Sequence, residues 1–348
     1  MNTFIRLMIS SLSMLIISSA LYAQSAHNMD IIEKKFEDLL INQGLSDIAF
    51  ITKVRLTGPA KHKQVRNGNA FHDEFVGNPL LFYSYVFIPK STVQSGKYPL
   101  LVFPHGGIHG SLGSSYNQII REMLVQGYIV VAPDYRGSTG YGKEFYEAID
   151  YGGLENEDVL AARDYVVSNY SIVDSTRVGL IGWSHGGMIT LMNLLKYPQK
   201  YACGYAGVPV SNVTYRLEYH DKDYTDLFSA PYHIGATPAE NPKEYARRSP
   251  VTYASQLCKP LMITTTENDN DVSVKEVKLM IEALKAAGKR FEYEVYPPMP
   301  GSHVFERIDS KEASQVRYKT YKFLQKYLNP PKPFKTFNEM RKAGYFYY

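Results

Sequence analysis

A serine flanked by glycines constrains this chain more than any other feature of its sequence. Residues 182–187 read GWSHGG, and they follow the apolar, strand-like stretch 177–181. In a G-x-S-x-G run a strand turns sharply into a helix with the serine at the apex, so the residues two before and two after it must be nearly free of side chains. Apolar residues then recur at helical spacing from position 188 to position 195. The pattern predicts a nucleophile elbow at Ser184, with a glycine-rich turn without chemistry as the alternative.

The first 23 residues have the composition of a secretory signal peptide. Arg6 precedes the apolar, serine-containing stretch 7–21, which is too short to span a bilayer comfortably. Small residues at positions 20 and 23 offer a cleavage site, and we expect processing after Ala23. The chain is then expected to be exported to the periplasm or the extracellular space. No later segment is long and apolar enough to predict a membrane span after removal of the signal.

Charge and cysteine content exclude several other classes of function. The formal net charge of +4 is small and dispersed over 348 residues, so it does not indicate a nucleic-acid partner. The two cysteines, Cys203 and Cys258, lack the Cys-x-x-Cys spacing of a redox or zinc site. We expect two buried free thiols, because free cysteine behaves as a small core residue.

Apolar runs and helical stretches alternate along most of the chain. Predicted strands cover 81–88, 100–103, 128–132, 177–181, 260–265 and 291–296, and predicted helices cover 116–126, 155–170, 274–287 and 312–328. This alternation indicates an α/β domain over residues 80–330, with a mostly parallel central sheet and helices on both faces.

Three segments fall outside this alternation. Residues 24–79 are predicted to be an N-terminal extension with an amphipathic helix at 30–42 and a mixed, turn-rich stretch at 44–77, too short for a β-propeller. Residues 211–249 carry aromatic side chains among charged ones and predict either a lid that shapes a pocket or an ordinary surface helix pair. Residues 331–348 form a C-terminal tail.

A serine nucleophile needs a histidine to take its proton and a carboxylate to orient that histidine. In the α/β-hydrolase fold these partners follow the serine in the order acid, then histidine. The predicted strand 260–265 leads to Asp269 and Asp271, and the next strand leads to His303. Asp269 is the preferred acid, Asp271 the second choice and Glu267 the third. This chemistry requires neither a metal nor an organic cofactor.

The oxyanion of a tetrahedral intermediate needs two preorganised donors. One is the backbone N–H of the residue after the nucleophile, here His185. The second is expected at the end of an early strand, where residues 103–110 read FPHGGIHG. We select the backbone N–H of Gly106, with Gly107 as the neighbour that could replace it.

These motifs together resemble the prolyl oligopeptidase family of serine peptidases (S9), and most closely its acylaminoacyl-peptidase and dipeptidyl-peptidase-like members. The resemblance covers about residues 80–328. The motifs, in chain order, are HGG at 105–107, DYRGSTGYG at 134–142, GWSHGG at 182–187, RSP at 248–250, ND at 268–269 and GSH at 301–303. The family's G-x-x-D-x-x-V pattern selects Asp269 with Val272, although Thr266 replaces the glycine.

The departures from the family pattern concern substrate more than mechanism. Family peptidases usually carry an N-terminal β-propeller, and dipeptidyl peptidases hold the free amino group of the substrate with glutamates from that domain, so the resemblance does not support dipeptide release here. Tyr215 and Tyr219 are candidates for the substrate pocket. The expected function is an exported serine-type peptidase that cleaves peptide or acyl-peptide bonds. A carboxylesterase for acylated sugars or phenolic esters is the alternative, and a homo-oligomer that restricts access in place of the propeller stays open.

Overall fold

The computed structural model describes residues 29–67, 70–76, 79–92 and 96–344. The strands are β1 (Ala49–Gly58), β2 (Lys61–Asn67), β3 (Ala70–Val76), β4 (Leu80–Pro89), β5 (Tyr98–Val102), β6 (Ile129–Asp134), β7 (Val173–Trp183), β8 (Cys203–Gly207), β9 (Leu261–Thr266) and β10 (Glu292–Tyr296). The helices are α1 (29–45), α2 (Asn117–Val125), α3 (Lys143–Tyr146), α4 (Glu155–Asn169), α5 (His185–Lys196), α6 (Val213–Tyr219), α7 (Lys222–Ser229), α8 (Pro242–Arg248), α9 (Val274–Ala286), α10 (Lys311–Leu328) and α11 (Phe337–Ala343).

Eight strands form one sheet in the order β1-β4-β6-β5-β7-β8-β9-β10. The pairs β1–β4 and β4–β6 are antiparallel, and the pairs from β6–β5 to β9–β10 are parallel. Strands β5, β6, β8 and β9 are buried along their whole length, as expected where helices cover both faces of a parallel sheet. The predicted mostly parallel α/β architecture is confirmed.

Alternating side chains of the strands feed two separate apolar cores. In β6, Ile129 and Val131 face one core while Val130 and Ala132 face the other, which is the period of two that a strand imposes. The first core receives apolar side chains of α4, α5 and α9, and the second receives those of α1, α2, α10 and α11. Both faces of the sheet are therefore covered, and the loops after β7, β9 and β10 leave it at the carboxyl ends of its parallel strands.

The prediction that residues 44–77 are mixed and turn-rich is wrong. They contain the edge strand β1, which pairs with β4 over ten residues, and the separate hairpin β2–β3. Strand β1 was missed because an edge strand has an irregular burial pattern, and its charged positions obscured the apolar ones. The sheet thus begins at Ala49, ahead of the predicted boundary at residue 80.

The cysteines and the chain ends differ in part from expectation. Both cysteines are free, and Cys203 is buried, but Cys258 is exposed, which contradicts the prediction of two buried thiols.

The tail contains α11 and packs Phe334 and Met340 into the second core. The predicted signal peptide at residues 1–23 lies outside the described residues. Among the residues that are described, no helix has the length and apolar character to cross a membrane.

Candidate active site

Ser184 occupies the turn between β7 and α5 in the conformation that the glycine pattern predicted. Its φ of 59° and ψ of −122° lie outside the regions that residues with side chains ordinarily adopt. Its N–H donates to the Gly207 carbonyl at 2.9 Å, and its own carbonyl accepts from the Met188 N–H at 2.9 Å. The backbone on both sides of the serine is therefore fixed by the sheet and by the first turn of the helix, and this holds the strained residue in place.

The two glycines around Ser184 are required by close backbone approach. A Cβ on Gly182 would collide with the Gly186 carbonyl, and a Cβ on Gly186 would collide with the Pro104 carbonyl. The collisions are with backbone atoms, which cannot rotate away as a side chain can. The elbow is thus pressed against the loop that follows β5, where the second oxyanion donor was expected.

His303 and Asp269 are brought together from the loops after β10 and β9. Both carboxylate oxygens of Asp269 lie 2.9 Å from Nδ1 of His303. The Asp269 side chain is fully buried, and His303 keeps 12% of its side chain exposed. Oδ1 of Asp269 also accepts the N–H groups of Asp271 and Val272, each at 2.9 Å. Asp269 is therefore oriented by its own loop and presents its carboxylate to the imidazole of His303.

Two polar residues to which the sequence assigned no role join the loop after β9 that carries Asp269 (the acid loop) to the loop after β10 that carries His303 (the histidine loop). Asn268 donates through Nδ2 to the Met299 carbonyl at 3.0 Å and accepts the Met299 N–H at 2.9 Å. Ser302 donates to the Asn268 carbonyl at 2.6 Å. His303 follows Gly301 and Ser302, whose φ values of 86° and 50° make the tight turn. The sequence shows that Asn268 directly precedes Asp269 and that Ser302 directly precedes His303. These positions alone do not predict the hydrogen bonds between the two loops.

The other two carboxylate candidates are placed differently. Oδ2 of Asp271 lies 3.6 Å from Nε2 of His303, on the side of the ring opposite to Asp269, and its Oδ1 accepts from Nη2 of Arg216 at 2.6 Å. Glu267 is exposed and lies 4.0 Å from Lys278. Of the three, only Asp269 contacts Nδ1 of His303.

Gly106 lies beside the elbow. A Cβ added to it would stand 3.2 Å from the Trp183 carbonyl oxygen and 3.5 Å from Nη1 of Arg307. Nη2 of Arg307 in turn donates to the His303 carbonyl at 3.0 Å. The loop after β5, the elbow and the histidine loop therefore meet around Arg307. The Gly106 N–H donates to the Tyr116 hydroxyl at 3.2 Å, a partner that the sequence did not indicate.

His185 directs its side chain into the interior rather than toward solvent. Its ring stacks on Tyr151 with centroids 5.3 Å apart, and its Nε2 lies 3.3 Å from Oε1 of the fully buried Glu155. Burial alone would raise the pKa of Glu155, but the adjacent His185 and the backbone N–H of Gly152 lower it to about 2. An ionised carboxylate thus lies beside the ring of His185, the residue whose N–H was predicted to face the oxyanion.

The segment 211–249 folds into the short helices α6, α7 and α8, next to the acid loop. Tyr215 and Tyr219 are half-buried with ring centroids 5.5 Å apart. The Tyr219 hydroxyl donates to Oε2 of Glu276 at 2.6 Å and accepts the Ser273 N–H at 3.2 Å. This hydroxyl is committed to the protein, so only the ring of Tyr219 is available to a pocket.

The side chains of the described ranges include no group of three or more histidines, cysteines, aspartates or glutamates placed to hold a metal ion. The chemistry that the arrangement offers is that of a buried carboxylate, an imidazole and a strained serine at one sheet edge, beside backbone N–H groups.

Comparison with known proteins connects this geometry to a family. Residues 114–331 match the model of the prolyl oligopeptidase family. Dipeptidyl aminopeptidase BIII of Pseudoxanthomonas mexicana is 29% identical over 240 residues, which cover 66% of this chain and 34% of that protein. The acylamino-acid-releasing enzyme of Rattus norvegicus is 26% identical over 238 residues, which cover 67% of this chain and 32% of that protein. The chain spans about a third of the length of these relatives.

Solved structures give the same correspondence in three dimensions. The uncomplexed acylaminoacyl peptidase of Pyrococcus horikoshii superposes with a TM-score of 0.66 at 19% identity, over 86% of this chain and 46% of that one. Dipeptidyl peptidase 4 of Porphyromonas gingivalis superposes with a TM-score of 0.59 at 25% identity, over 78% of this chain and 36% of that one. The predicted α/β-hydrolase fold is confirmed.

Proposed function

The chain belongs to the prolyl oligopeptidase family, and from that premise we propose that it is a serine-type peptidase acting through an acyl-enzyme on Ser184. The observation that carries the proposal is the pair formed by His303 and Asp269, 2.9 Å apart, at the sheet edge where Ser184 holds a strained elbow. Asp269 holds the proton on Nδ1 of His303, so Nε2 carries the lone pair that accepts the serine proton. His303 then returns that proton to the leaving amine.

The N–H groups of His185 and Gly106 are the proposed oxyanion donors. His185 begins α5, so its N–H has no partner earlier in the helix, and the helix dipole adds positive potential there. The Gly106 N–H is in hydrogen-bond contact with the Tyr116 hydroxyl, so an oxyanion would compete with that hydroxyl for it. A negatively charged oxygen is the stronger acceptor, which favours the exchange as charge develops.

The proposed substrates are peptide or acyl-peptide bonds. The relatives named above are a dipeptidyl aminopeptidase and an acylamino-acid-releasing enzyme, which supports amide rather than ester cleavage as the activity. These comparisons do not favour the carboxylesterase alternative.

The test compares a peptide anilide with an ester of the same acyl group, using purified protein and Ser184→Ala as the blank. We expect Ser184-dependent cleavage of the anilide and labelling of the wild type, but not of the variant, by a fluorophosphonate. Asp269→Asn should lower kcat by about three to four orders of magnitude, because the imidazole then favours the wrong tautomer. Labelling of Ser184→Ala would disprove the nucleophile, and ester cleavage without anilide cleavage would establish the carboxylesterase.

We also propose that the protein is exported, on the signal-peptide composition of residues 1–23. N-terminal sequencing of the protein recovered from the periplasm or the culture medium should begin at Gln24. Recovery only from the cytoplasm with an intact N-terminus would contradict the proposal.

A further inference from the structure

A second carboxylate stands on the substrate side of His303. Nδ1 of His303 is occupied by Asp269, so Nε2 is the nitrogen that must serve the nucleophile and the leaving group. Oδ2 of Asp271 lies 3.6 Å from this Nε2. The Asp271 side chain is 46% exposed, so a substrate that reaches Nε2 also meets this carboxylate.

With the proton of a neutral imidazole on Nδ1, no proton lies between Asp271 and Nε2. When Nδ1–H donates to Asp269, the neutral imidazole carries a lone pair on Nε2. A carboxylate offers only lone pairs, so two acceptors face each other across 3.6 Å. Such an arrangement attracts a hydrogen-bond donor, and a cationic donor most strongly, because charge-assisted hydrogen bonds are about twice as strong as neutral ones.

Asp271 is held in this position by a buried cation. Nη2 of Arg216 donates to Oδ1 of Asp271 at 2.6 Å, which leaves Oδ2 directed at His303. The Arg216 side chain is 5% exposed, and its Nη1 also lies 3.8 Å from Oε2 of the buried Glu276. Tyr224 and Tyr219 accept two further Arg216 hydrogen bonds through their hydroxyls, at 2.6 and 3.0 Å. The arginine is thereby locked, and Asp271 cannot swing away without losing its ion pair with this buried guanidinium.

Asp271 carries the charge that faces Nε2. One guanidinium stands between the carboxyl groups of Asp271 and Glu276, and burial raises the pKa of Glu276. Burial tends to raise the pKa of Asp271, but Arg216 and His303 outweigh it and hold that pKa below its usual range. Asp271 is therefore ionised at neutral pH.

The distance from the attacked carbonyl carbon to Oδ2 of Asp271 limits which substrate group can contact this oxygen. The scissile carbonyl carbon must approach the serine oxygen to about 3 Å, and that oxygen must lie within about 3 Å of Nε2. The α-nitrogen of the residue that carries the scissile carbonyl is two bonds from the attacked carbon, so it can come within reach of Oδ2, which lies 3.6 Å from Nε2. We propose that Asp271 forms a binding site for the free α-ammonium group of that residue, so that the enzyme removes single amino acids from unblocked N-termini.

This inference rests on the proposed peptidase function and adds a substrate class to it. The family glutamates that bind a substrate amine belong, by the resemblance, to a separate domain, whereas Asp271 is part of the acid loop itself. An N-acylated substrate has a neutral amide in place of the α-ammonium group, so it cannot form an ion pair with Asp271. The inference thus favours free N-termini over acylated ones.

The experiment uses the p-nitroanilides of Ala, N-acetyl-Ala and Gly-Ala with wild type, Asp271→Asn and Glu282→Gln. The asparagine keeps the shape and the oxygen that accepts from Arg216 but loses the charge, and Glu282→Gln removes one exposed carboxylate of α9 as a charge-matched control. We expect Asp271→Asn to lower kcat/KM for Ala-p-nitroanilide by about 10- to 100-fold, while N-acetyl-Ala-p-nitroanilide changes by less than about threefold. Glu282→Gln should leave the values for all three substrates unchanged.

The remaining outcomes overturn the inference or the function separately. Equal losses on the free and the acetylated substrate would mean that Asp271 acts on His303 or on the fold, and would overturn the inference alone. So would a loss confined to Gly-Ala-p-nitroanilide, which would place the ammonium one residue further away. Absence of Ser184-dependent cleavage of any of the three anilides would overturn the proposed function, and the inference with it.

Discussion

Nζ of Lys34 lies 2.8 Å from Oδ2 of Asp134, and both side chains are almost wholly buried. The lysine belongs to α1 and the aspartate ends β6, so the ion pair ties the N-terminal helix to the centre of the sheet. Burial tends to raise the pKa of Asp134, but Lys34 and then His105 outweigh it and lower that pKa. The helix before the first strand is thus part of the folded domain.

Removal of the Lys34 ammonium group should destabilise the folded protein. We expect Lys34→Met to lower the free energy of unfolding by about 3–5 kcal/mol, because Asp134 is left as a buried charge without its cation. Urea unfolding followed by circular dichroism measures the change. The double variant Lys34→Met/Asp134→Asn should recover at least about 1 kcal/mol of this loss. No recovery would show that packing of the lysine, rather than its charge, holds α1.

The backbone strain at Ser184 can be measured separately from the role of its hydroxyl group. Ser184→Ala and Ser184→Gly both remove the hydroxyl of the proposed nucleophile, but only glycine adopts a φ of 59° with a ψ of −122° at little cost. We expect the glycine variant to be more stable than the alanine variant by about 1–3 kcal/mol. Thermal unfolding of the two variants measures the difference. Equal stabilities would mean that the elbow stores no strain.

The packing of the elbow against the loop after β5 predicts a loss of activity on enlarging Gly186. Gly186→Ala places a methyl group against the Pro104 carbonyl and must displace either Ser184 or the Gly106 loop. We expect kcat/KM to fall at least about 100-fold, as for an ångström-scale misplacement of catalytic groups. In Gly113→Ala the methyl group meets the movable Glu37 carboxylate at 3.1 Å, so activity should stay within about threefold. Comparable losses in both variants would contradict this explanation.

Buried His105 should make the fold sensitive to mild acid. Burial lowers its pKa from 6.5 to about 4, so the unfolded chain binds a proton more readily than the native state does. The stabilising contribution of neutral His105 is therefore complete above about pH 6.5 and is lost as pH falls toward 4. At pH 5 the loss amounts to about 2 kcal/mol.

The measurement is urea unfolding of wild type and His105→Gln at pH 7.5 and pH 5. Glutamine does not titrate, and it can still bond Ser138, whose hydroxyl lies 2.9 Å from Nε2 of His105. The wild type should lose about 2 kcal/mol more than the variant between the two pH values. Equal losses would show that other groups account for the acid sensitivity.

Several features of the fold were predictable because they depend on local chemistry. The pattern G-x-S-x-G predicts the elbow because only glycines tolerate the backbone contacts around Ser184. The buried strands β5, β6 and β9 were visible as continuous apolar runs. The edge strand β1 was not, because half of it faces solvent and its sequence alternates irregularly.

The sequence by itself determined the order of the candidate groups along the chain and the element that carries each of them. Only the tertiary structure decided which carboxylate meets which nitrogen of His303, since Asp269 and Asp271 are two residues apart in the same loop. The backbone of that loop folds over Oδ1 of Asp269, while Arg216 from α6 draws Asp271 to the opposite side of the ring. That contact spans 55 residues of chain, and no local pattern encodes it.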